Sequence, residues 1–240
     1  MRASRFEFEQ RFWIIAGIYF VGFSLAFVDQ TAFIVALRHV IAPTAAPGSS
    51  LATSFSRIVI AAGAFLVFVT AALRTWATAY LRTDVVHDSA QHSETLVADG
   101  PFRHTRNPLY LANLPMAAGI GVLASRLGWI FLVLANWIFV YRLINREEEA
   151  LRKSQGESFL AYCRAVPRFW PSLRARVPPG IGSPRWGQAF AGESFVWLFA
   201  LAELAIGITL SVTTGLVMFS LGFIAHFVVT RHLQRKKAGL

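Results

Sequence analysis

The sequence predicts an all-α fold, a polytopic membrane bundle of about six transmembrane helices. Its composition indicates this class, because 55% of the 240 residues are hydrophobic and only 15% are charged. Soluble domains carry about a quarter charged residues. The apolar residues also cluster into segments that approach the roughly 20 residues needed to cross a bilayer. We therefore expect lipid to solvate most of this chain.

Six apolar segments are the predicted transmembrane helices. They cover residues 12–28, 55–73, 109–124, 127–141, 195–210 and 215–230. Several are short for a full crossing, so we expect polar neighbours to extend the helices beyond the hydrocarbon. Predicted turns at Ser125-Arg126 and at Thr213-Thr214 make two hairpins from the last four segments. Residues 32–41 contain Arg38, so this short apolar segment is assigned to the membrane interface.

The cations predict the orientation of the bundle. With six spans both termini lie on one side, and all but three of the 23 Lys and Arg residues fall on that side. The three exceptions are Arg38, Arg57 and Arg126. The positive-inside rule then places both termini in the cytoplasm, and the Arg- and Ala-rich usage suggests a bacterial inner membrane. The formal charge of +10 is explained in this way, so we predict no nucleic-acid partner.

Cysteine content and the linker composition limit the other possibilities. A single cysteine, Cys163, excludes an internal disulfide and a multi-cysteine metal site. No short apolar core with a small-residue cleavage site is visible at the N-terminus, so we expect no removable signal peptide. The Pro/Gly-rich stretch "RVPPGIGSPRWG" predicts two parts, a main unit at residues 1–176 and a linker with a terminal hairpin at residues 177–240.

Two polar stretches carry the unusual chemistry. They are "ETLVADGPFRHTRNPLY" and "YRLINREEEALRKSQGESFLAYCRAVPRFWP". They flank the hairpin of the third and fourth spans, so both emerge at the same membrane face. Chain connectivity thus predicts that Arg106 and Asn107 lie near Arg146, Glu147 and Glu148.

Each stretch alone has an ordinary structural explanation. Asn107 is a good N-cap before Pro108, and Arg106 could extend its charge to the lipid headgroups. The three glutamates could begin a solvated helix. Together the stretches indicate more, because carboxylates are unfavourable in this basic zone unless they meet cations. A helix N-terminus opposite carboxylates fits a zwitterionic small molecule.

These residues resemble a family. "TLVADGPFRHTRNPLYL" and "EEEALRKSQGESFLAYCRAVPRFWP" are similar to the isoprenylcysteine carboxyl methyltransferase and phospholipid N-methyltransferase group of integral-membrane enzymes. That group has a Gly-Pro-Tyr turn, Arg-His-Pro-x-Tyr, a helical hairpin, Glu-Glu-x-x-Leu, Phe-Gly-x-x-Tyr and Val-Pro-Arg. The match covers residues 94–171, about a third of the chain, with cofactor motifs at 94–110 and 142–171.

The resemblance implies that S-adenosylmethionine binds in the cytoplasmic loops. The implied cofactor-binding residues are Glu94, Thr95, Leu96, Val97, Phe102, Asn107, Pro108, Leu109, Tyr110, Glu147 and Glu148. Asn107 replaces the usual histidine, so it can donate a hydrogen bond but cannot act as an acid or base near neutral pH. The substrate arginine expected just before the Glu pair falls at Leu143, which leaves Arg142 or Arg146 to take that role.

We expect direct methyl transfer to a lipophilic acceptor that enters from the bilayer. The protein would position the reactants in line and exclude water, with Arg106, Arg142 and Arg146 as the catalytic cations. A carboxylate or thiolate acceptor needs no strong base, which agrees with Asn107, so this acceptor class is preferred to an amine. Membrane lipids and a lipophilic substrate are the predicted partners.

Three alternatives stay open at this point. The first is a phospholipid N-methyltransferase. The second is an NADPH-dependent membrane sterol or enone reductase, because "AYCRAVPRFWP" is similar to the ending of those enzymes, although here a further hairpin follows. The third is a non-catalytic membrane assembly factor. Binding of S-adenosylmethionine or of NADPH would separate these readings.

A cluster of ligand-type residues and one glutamate inside a span also need an explanation. The cluster Asp84, His87, Asp88, His92 and Glu94 has ligand-type side chains, but its spacing fits no standard metal template, so no metal site is predicted. Glu203 lies in the middle of a span, where an ionisable group is costly. Its predicted partner is either His226 or, as a neutral acid, the helix backbone.

Overall fold

The computed structural model describes residues 1–81, 98–180 and 182–237, with side chains described up to residue 227. In this part the chain is helical. The α-helices are α1 (Arg5–Glu9), α2 (Arg11–Ser24), α3 (Phe33–Ile41), α4 (Ser50–Tyr80), α5 (Pro108–Gly121), α6 (Arg126–Ala165), α7 (Trp186–Thr209) and α8 (Val212–Lys237), with 3₁₀ turns at Leu25–Phe27 and Gly100–Arg103. The all-α membrane-bundle prediction is confirmed.

Each predicted span overlaps a helix, but the helices differ in length. Helices α4, α6 and α7 are long and apolar enough to cross a membrane. Residues Arg11–Phe27 and Val212–Phe227 are shorter apolar helices. Helix α5 has 14 residues, about 21 Å of rise, which is less than the roughly 30 Å of hydrocarbon. Its buried residues pack between α4 and α6.

Helix α4 lies at the centre of the bundle, between α5 and α7. Its Val67 and Ala71 form a buried cluster with Ile120, Val196 and Ala200. A second cluster joins the N-terminal segment to α6. Because the first cluster includes α7, the linker after residue 176 leads back onto the main bundle. The predicted division into two parts remains a prediction.

The two predicted hairpin turns have different outcomes. Ser125 caps α6, since its hydroxyl accepts from the Gly128 N–H at 3.1 Å, as the turn prediction required. The second prediction, a turn at Thr213-Thr214, is wrong, because both threonines lie inside α8. The turn falls at Leu210 and Ser211: Leu210 adopts a left-handed conformation with φ 55°. The Ser211 hydroxyl accepts from the Thr214 N–H at 3.2 Å, so α8 begins earlier than its apolar run suggested.

Helix α6 breaks at Gly156, where φ is 52° and ψ is −126°. Side chains strongly disfavour this backbone region, which glycine enters readily. After the break the chain turns back, and Phe159, Tyr162 and Val166 form a buried cluster that Leu151 packs against. The break therefore folds the "FLAYCRAVPRFWP" stretch towards the start of α5.

Helix α7 is tied to α4 by buried polar contacts. Glu193 is fully buried and accepts from Arg74 Nε at 2.6 Å and from the Thr78 hydroxyl at 2.9 Å. Trp197 Nε1 donates to the Thr75 hydroxyl at 3.0 Å. A buried ion pair of this kind is strongly destabilised when one partner is removed. These contacts fix α7 against α4.

Candidate functional site

The start of α5 and the second half of α6 meet at Glu148. Asn107 Nδ2 donates to Glu148 Oε1 at 3.0 Å, and Arg106 Nε lies 3.5 Å from the same oxygen. Asn107 occupies the N-cap position before Pro108, as predicted, but its side chain makes no capping hydrogen bond to α5. It binds the carboxylate instead. The two halves of the sequence signature are therefore in direct contact.

Arg168 completes this cluster and is not among the predicted site residues. Its Nε lies 3.1 Å from Glu148 Oε2, and a terminal nitrogen donates to Asn145 Oδ1 at 2.5 Å. Its guanidinium also lies over the Tyr141 ring, 5.2 Å from the centroid. The signal in the sequence that points to Arg168 is the Val-Pro-Arg element of the motif, in which Arg168 is the arginine.

The segments before α5 and after α6 run side by side. The Arg106 N–H donates to the Pro167 carbonyl at 2.9 Å, and the Thr105 hydroxyl donates to the Phe169 carbonyl at 3.1 Å. Tyr162 donates its hydroxyl proton to the Phe102 carbonyl at 2.7 Å. These backbone contacts set the position of the cluster around Glu148.

Glu147 points to a different neighbourhood from Glu148. It shares a hydrogen bond with the Tyr110 hydroxyl and lies within electrostatic range of Arg11. Tyr110 packs against the cluster of Phe8, Phe139 and Leu143. The predicted cofactor residues Pro108 and Leu109 lie in the first turn of α5. In the sequence they stand between Asn107, which binds Glu148, and Tyr110, which binds Glu147. Glu147 and Glu148, although adjacent on α6, thus contact two separate sets of polar residues.

Arg142 and Arg146 face the N-terminal segment. A terminal nitrogen of Arg142 lies 2.8 Å from both carboxylate oxygens of Glu7. Arg146 donates to the Ala3 carbonyl at 3.3 Å. The backbone N–H of Ser4 and the Arg142 guanidinium hold the pKa of Glu7 below its usual value. Of the three predicted catalytic cations, only Arg106 therefore lies at Glu148. The other two, Arg142 and Arg146, contact the N-terminal segment.

Some predicted residues lie outside the described part of the chain. These are Glu94, Thr95, Leu96 and Val97 of the cofactor set, and the cluster Asp84, His87, Asp88, His92 and Glu94. Glu203 is buried, and neither carboxylate oxygen has a hydrogen-bond partner within the described residues. Both predicted partners are therefore wrong: Glu203 hydrogen-bonds neither His226, whose Nδ1 hydrogen-bonds the Ser194 hydroxyl, nor the helix backbone among the described residues.

Comparison with known proteins finds partial similarity to metal-resistance proteins. The chain is 29% identical over 100 residues to the cobalt-zinc-cadmium resistance protein CzcN of Cupriavidus metallidurans, which covers 42% of this chain and 43% of the relative. It is 27% identical over 100 residues to the nickel-cobalt-cadmium resistance protein NccN of Alcaligenes xylosoxydans xylosoxydans, covering 42% and 44%. The alignments thus span less than half of each curated relative. No solved structure gives a significant match.

The family model for phospholipid methyltransferase matches residues 58–158. This segment runs from α4 through the break in α6, and it contains Arg106, Asn107, Glu147 and Glu148. The match agrees with the resemblance drawn from the two polar stretches. Over residues 58–158, a stretch of less than half the chain, this protein is similar to the phospholipid methyltransferase family.

Proposed function

We propose that this protein is an integral-membrane methyltransferase that uses S-adenosylmethionine and acts on a lipophilic acceptor. The observation that carries the proposal is the contact between the two halves of the signature at Glu148. Asn107 and Glu148 are 41 residues apart, yet they hydrogen-bond directly. The family match over the same residues supports it. We place its site at the cytoplasmic face of a bacterial inner membrane, because most of the Lys and Arg residues lie on the side that the positive-inside rule assigns to the cytoplasm.

The residues around Glu148 suit the charges of this cofactor. S-adenosylmethionine supplies an electrophilic methyl group on a sulfonium cation and carries a carboxylate and an amine. Glu147 offers a carboxylate to the cationic groups, and the N-terminus of α5 with Arg106 suits the carboxylate. By resemblance, Glu94, Thr95, Leu96, Val97, Phe102 and Leu109 would line the rest of the site. The chain's own task is to orient the reactants and exclude water.

The first candidate acceptor is a lipophilic carboxylate or thiol, as in isoprenylcysteine carboxyl methyltransferases. Asn107 stands where a histidine is usual and cannot take a proton near neutral pH. A carboxylate or thiolate is already nucleophilic, so it needs no such base. The acceptor would approach laterally from the bilayer.

The second candidate is a phospholipid amine. Two observations favour it: the family that matches is described as phospholipid methyltransferase, and two predicted selecting cations have protein partners. Arg142 pairs with Glu7, and Arg106 lies 3.5 Å from Glu148. These pairings reduce the positive field that would reject an amine.

Isothermal titration of the purified protein tests the cofactor assignment. We expect micromolar affinity for S-adenosylmethionine or its demethylated product. Glu147→Ala should weaken it more than about tenfold, or 1.4 kcal/mol. The matched control is Glu157→Ala on the same helix, whose side chain is 75% exposed and should leave affinity unchanged. NADPH binding instead would support a reductase, and an unchanged affinity in Glu147→Ala would remove Glu147 from the site.

Tritiated methyl transfer into membrane extracts tests the acceptor. Base-labile ester, thioether and methylamine products are separated after incubation with labelled S-adenosylmethionine. Label in esters or thioethers supports the first candidate. Label confined to methylated phosphatidylethanolamine would reject it in favour of the second.

A further inference from the structure

Residues 172–180, which lead from the end of α6 towards α7, lie along the segment that precedes α5. The Ser172 N–H donates to the His104 carbonyl at 2.9 Å. The Arg176 N–H donates to the Arg103 carbonyl at 2.8 Å. Residues 172–180 therefore form a strap that main-chain hydrogen bonds join to the preceding segment.

Side chains hold the strap as well. Arg103 Nε donates to the Val177 carbonyl at 2.9 Å. The Val177 side chain packs against the buried cluster of Phe159, Tyr162 and Val166. The middle of the strap is therefore fixed on both sides, by a hydrogen bond to the segment before α5 and by apolar contact with the end of α6.

Asp99 fastens the far end of the strap. It occupies the N-cap position of the 3₁₀ turn Gly100–Arg103, but its side chain makes no capping hydrogen bond to that turn. Instead, Asp99 Oδ1 accepts from the Gly180 N–H at 2.6 Å. A Cβ added to Gly180 or to Gly182 would lie 2.6 Å or 3.0 Å from Asp99 Oδ2. The two glycines therefore leave room for the carboxylate, and the contact depends on the acid and on the glycines together.

The segment that the strap holds belongs to the proposed cofactor site. It contains Phe102, one of the implied cofactor residues, and it ends beside Asn107, which binds Glu148. The bond between Asp99 and the strap is exposed, and water competes for such a bond, so the strap can open while the helices stay folded. Opening would take hydrogen-bond partners from Arg103 and release the segment. The geometry of the proposed site therefore depends on a closed strap.

We propose that the strap is a closing element of the cofactor site, that Asp99 is its latch, and that S-adenosylmethionine binds only to the closed form. The role in cofactor binding rests on the proposed function, whereas the latch rests on the hydrogen bonds of Asp99 and the strap. A ligand that binds one of two states raises the population of that state. The strap should therefore open less often when S-adenosylmethionine is bound.

Limited proteolysis of the protein in phosphatidylcholine nanodiscs measures how often the strap opens. Trypsin cleaves after Arg174 and Arg176, which are both exposed, and cleavage there requires the strap to leave the segment it pairs with. Mass spectrometry quantifies the two cleavages. S-adenosylmethionine at about ten times its Kd should slow them about tenfold in the wild type. A free peptide substrate in the same mixture should be cleaved at an unchanged rate, which controls for inhibition of trypsin.

Two variants open the latch by different routes. Asp99→Ala removes the acceptor, and Gly180→Ala places a Cβ against Asp99 Oδ2. Without cofactor each should speed cleavage of the strap about fivefold, as expected for one exposed hydrogen bond to a charged group. Asp99→Asn keeps an acceptor oxygen and should stay near the wild-type rate. In the Asp99→Ala background, Gly180→Ala should add no further increase, because the atoms that its Cβ would meet are gone.

The matched control is Glu157→Ala, because this side chain is 75% exposed and lies away from the strap, paired with Arg164. It should leave the cleavage rate unchanged. Wild-type rates in both Asp99→Ala and Gly180→Ala would overturn the latch. A misfolded variant would be cleaved faster throughout the chain, and protection of the wild type then decides.

Titration of the wild type separates failure of this inference from failure of the proposed function. Binding of S-adenosylmethionine without protection of the strap would overturn the inference alone. Absence of binding would reject the proposed function and with it the role of the strap in cofactor binding. The variants would then still decide whether Asp99 is the latch.

Discussion

Glu148 is the residue at which the charges of the site converge. Its carboxylate lies 3.5 Å from Arg106 Nε and 3.1 Å from Arg168 Nε, and it accepts from Asn107. Its side chain is only 12% exposed. A carboxylate with several donors in a poorly solvated place stabilises the charges around it. Without that charge the two arginines would face each other unpaired.

We expect Glu148→Gln to lower the free energy of unfolding by about 2 kcal/mol. This is below the 3–5 kcal/mol typical of a fully buried pair, because solvent reaches this cluster partly. Thermal unfolding in detergent measures the change. Glu157→Gln, on the exposed surface of the same helix, should change stability by less than about 0.5 kcal/mol. Equal effects of the two variants would show that Glu148 is not a structural centre.

Glu7 makes the docking of the N-terminal segment sensitive to acid. The pKa of Glu7 is lowered by the Ser4 N–H and by Arg142. The stability that this pairing contributes is therefore complete above the ordinary value of 4.5 and is lost as the pH falls through the lower folded value. We expect Glu7→Gln to be less stable than the wild type at neutral pH, with the difference shrinking below pH 4.5. Thermal unfolding as a function of pH tests this; a constant difference would contradict it.

Among the elements, α4 and α5 cross at a point where side chains are absent. A Cβ on Gly119 would lie 2.6 Å from the Gly63 carbonyl oxygen and 2.8 Å from Val67 Cγ2. Both distances are shorter than real contacts, so the helices approach through glycine. Small residues at such crossings let backbones pack closely in membranes. This close contact fixes the position of the short helix α5, which begins beside Asn107 in the candidate site.

Gly119→Ala should therefore separate the two helices and destabilise the protein by about 1–3 kcal/mol, as overpacking does. It should also weaken binding of S-adenosylmethionine, because α5 carries Asn107. The control is Gly17→Ala on α2, where an added Cβ meets nothing within 4 Å. That variant should be neutral or slightly more stable, since alanine favours helix. Comparable loss in both variants would argue against close packing at Gly119.

At the scale of the molecule, the bundle has two distinct ends. Asp29 accepts from the Leu127 N–H at 2.9 Å, which joins the end of α2 to the start of α6. At the other end the Arg185 N–H donates to the Ala79 carbonyl at 2.8 Å, which joins α7 to α4. This second end also carries Gly100, whose missing side chain makes room for the Tyr80 ring. The candidate site belongs to the second end.

Cysteine labelling in a Cys163→Ser background tests the orientation of these ends. Cysteines at positions 155, 90 and 238 should react from the cytoplasm, the last two lying outside the described residues. Cysteines at positions 45 and 126 should react from the far side. The reason is the concentration of cations on the first set of loops. Labelling of position 155 from the far side would contradict the six-span topology.

Local signals were sufficient for most of the helix positions and for the two polar stretches that meet at Glu148. Apolar runs located each span, and Asn107-Pro108 located the start of α5, because these features depend on neighbours a few residues apart. The turn at Thr213-Thr214 was misplaced, since the Ser211 cap and the left-handed Leu210 interrupt an otherwise apolar run. A helix cap depends on a single side chain, and the mean hydropathy of a segment does not reveal it.

The sequence by itself therefore determined the membrane class, the helices and the two motifs that meet in the site. Only the tertiary structure decided which charges pair. Arg142 turns to Glu7, 135 residues away, and Arg168 reaches Glu148 because the chain breaks at Gly156. The sequence offered about twenty cations on one side, all equivalent by the positive-inside rule. Burial distinguishes them, since a guanidinium removed from water must find a partner within a few ångströms, and packing determines which partner is there.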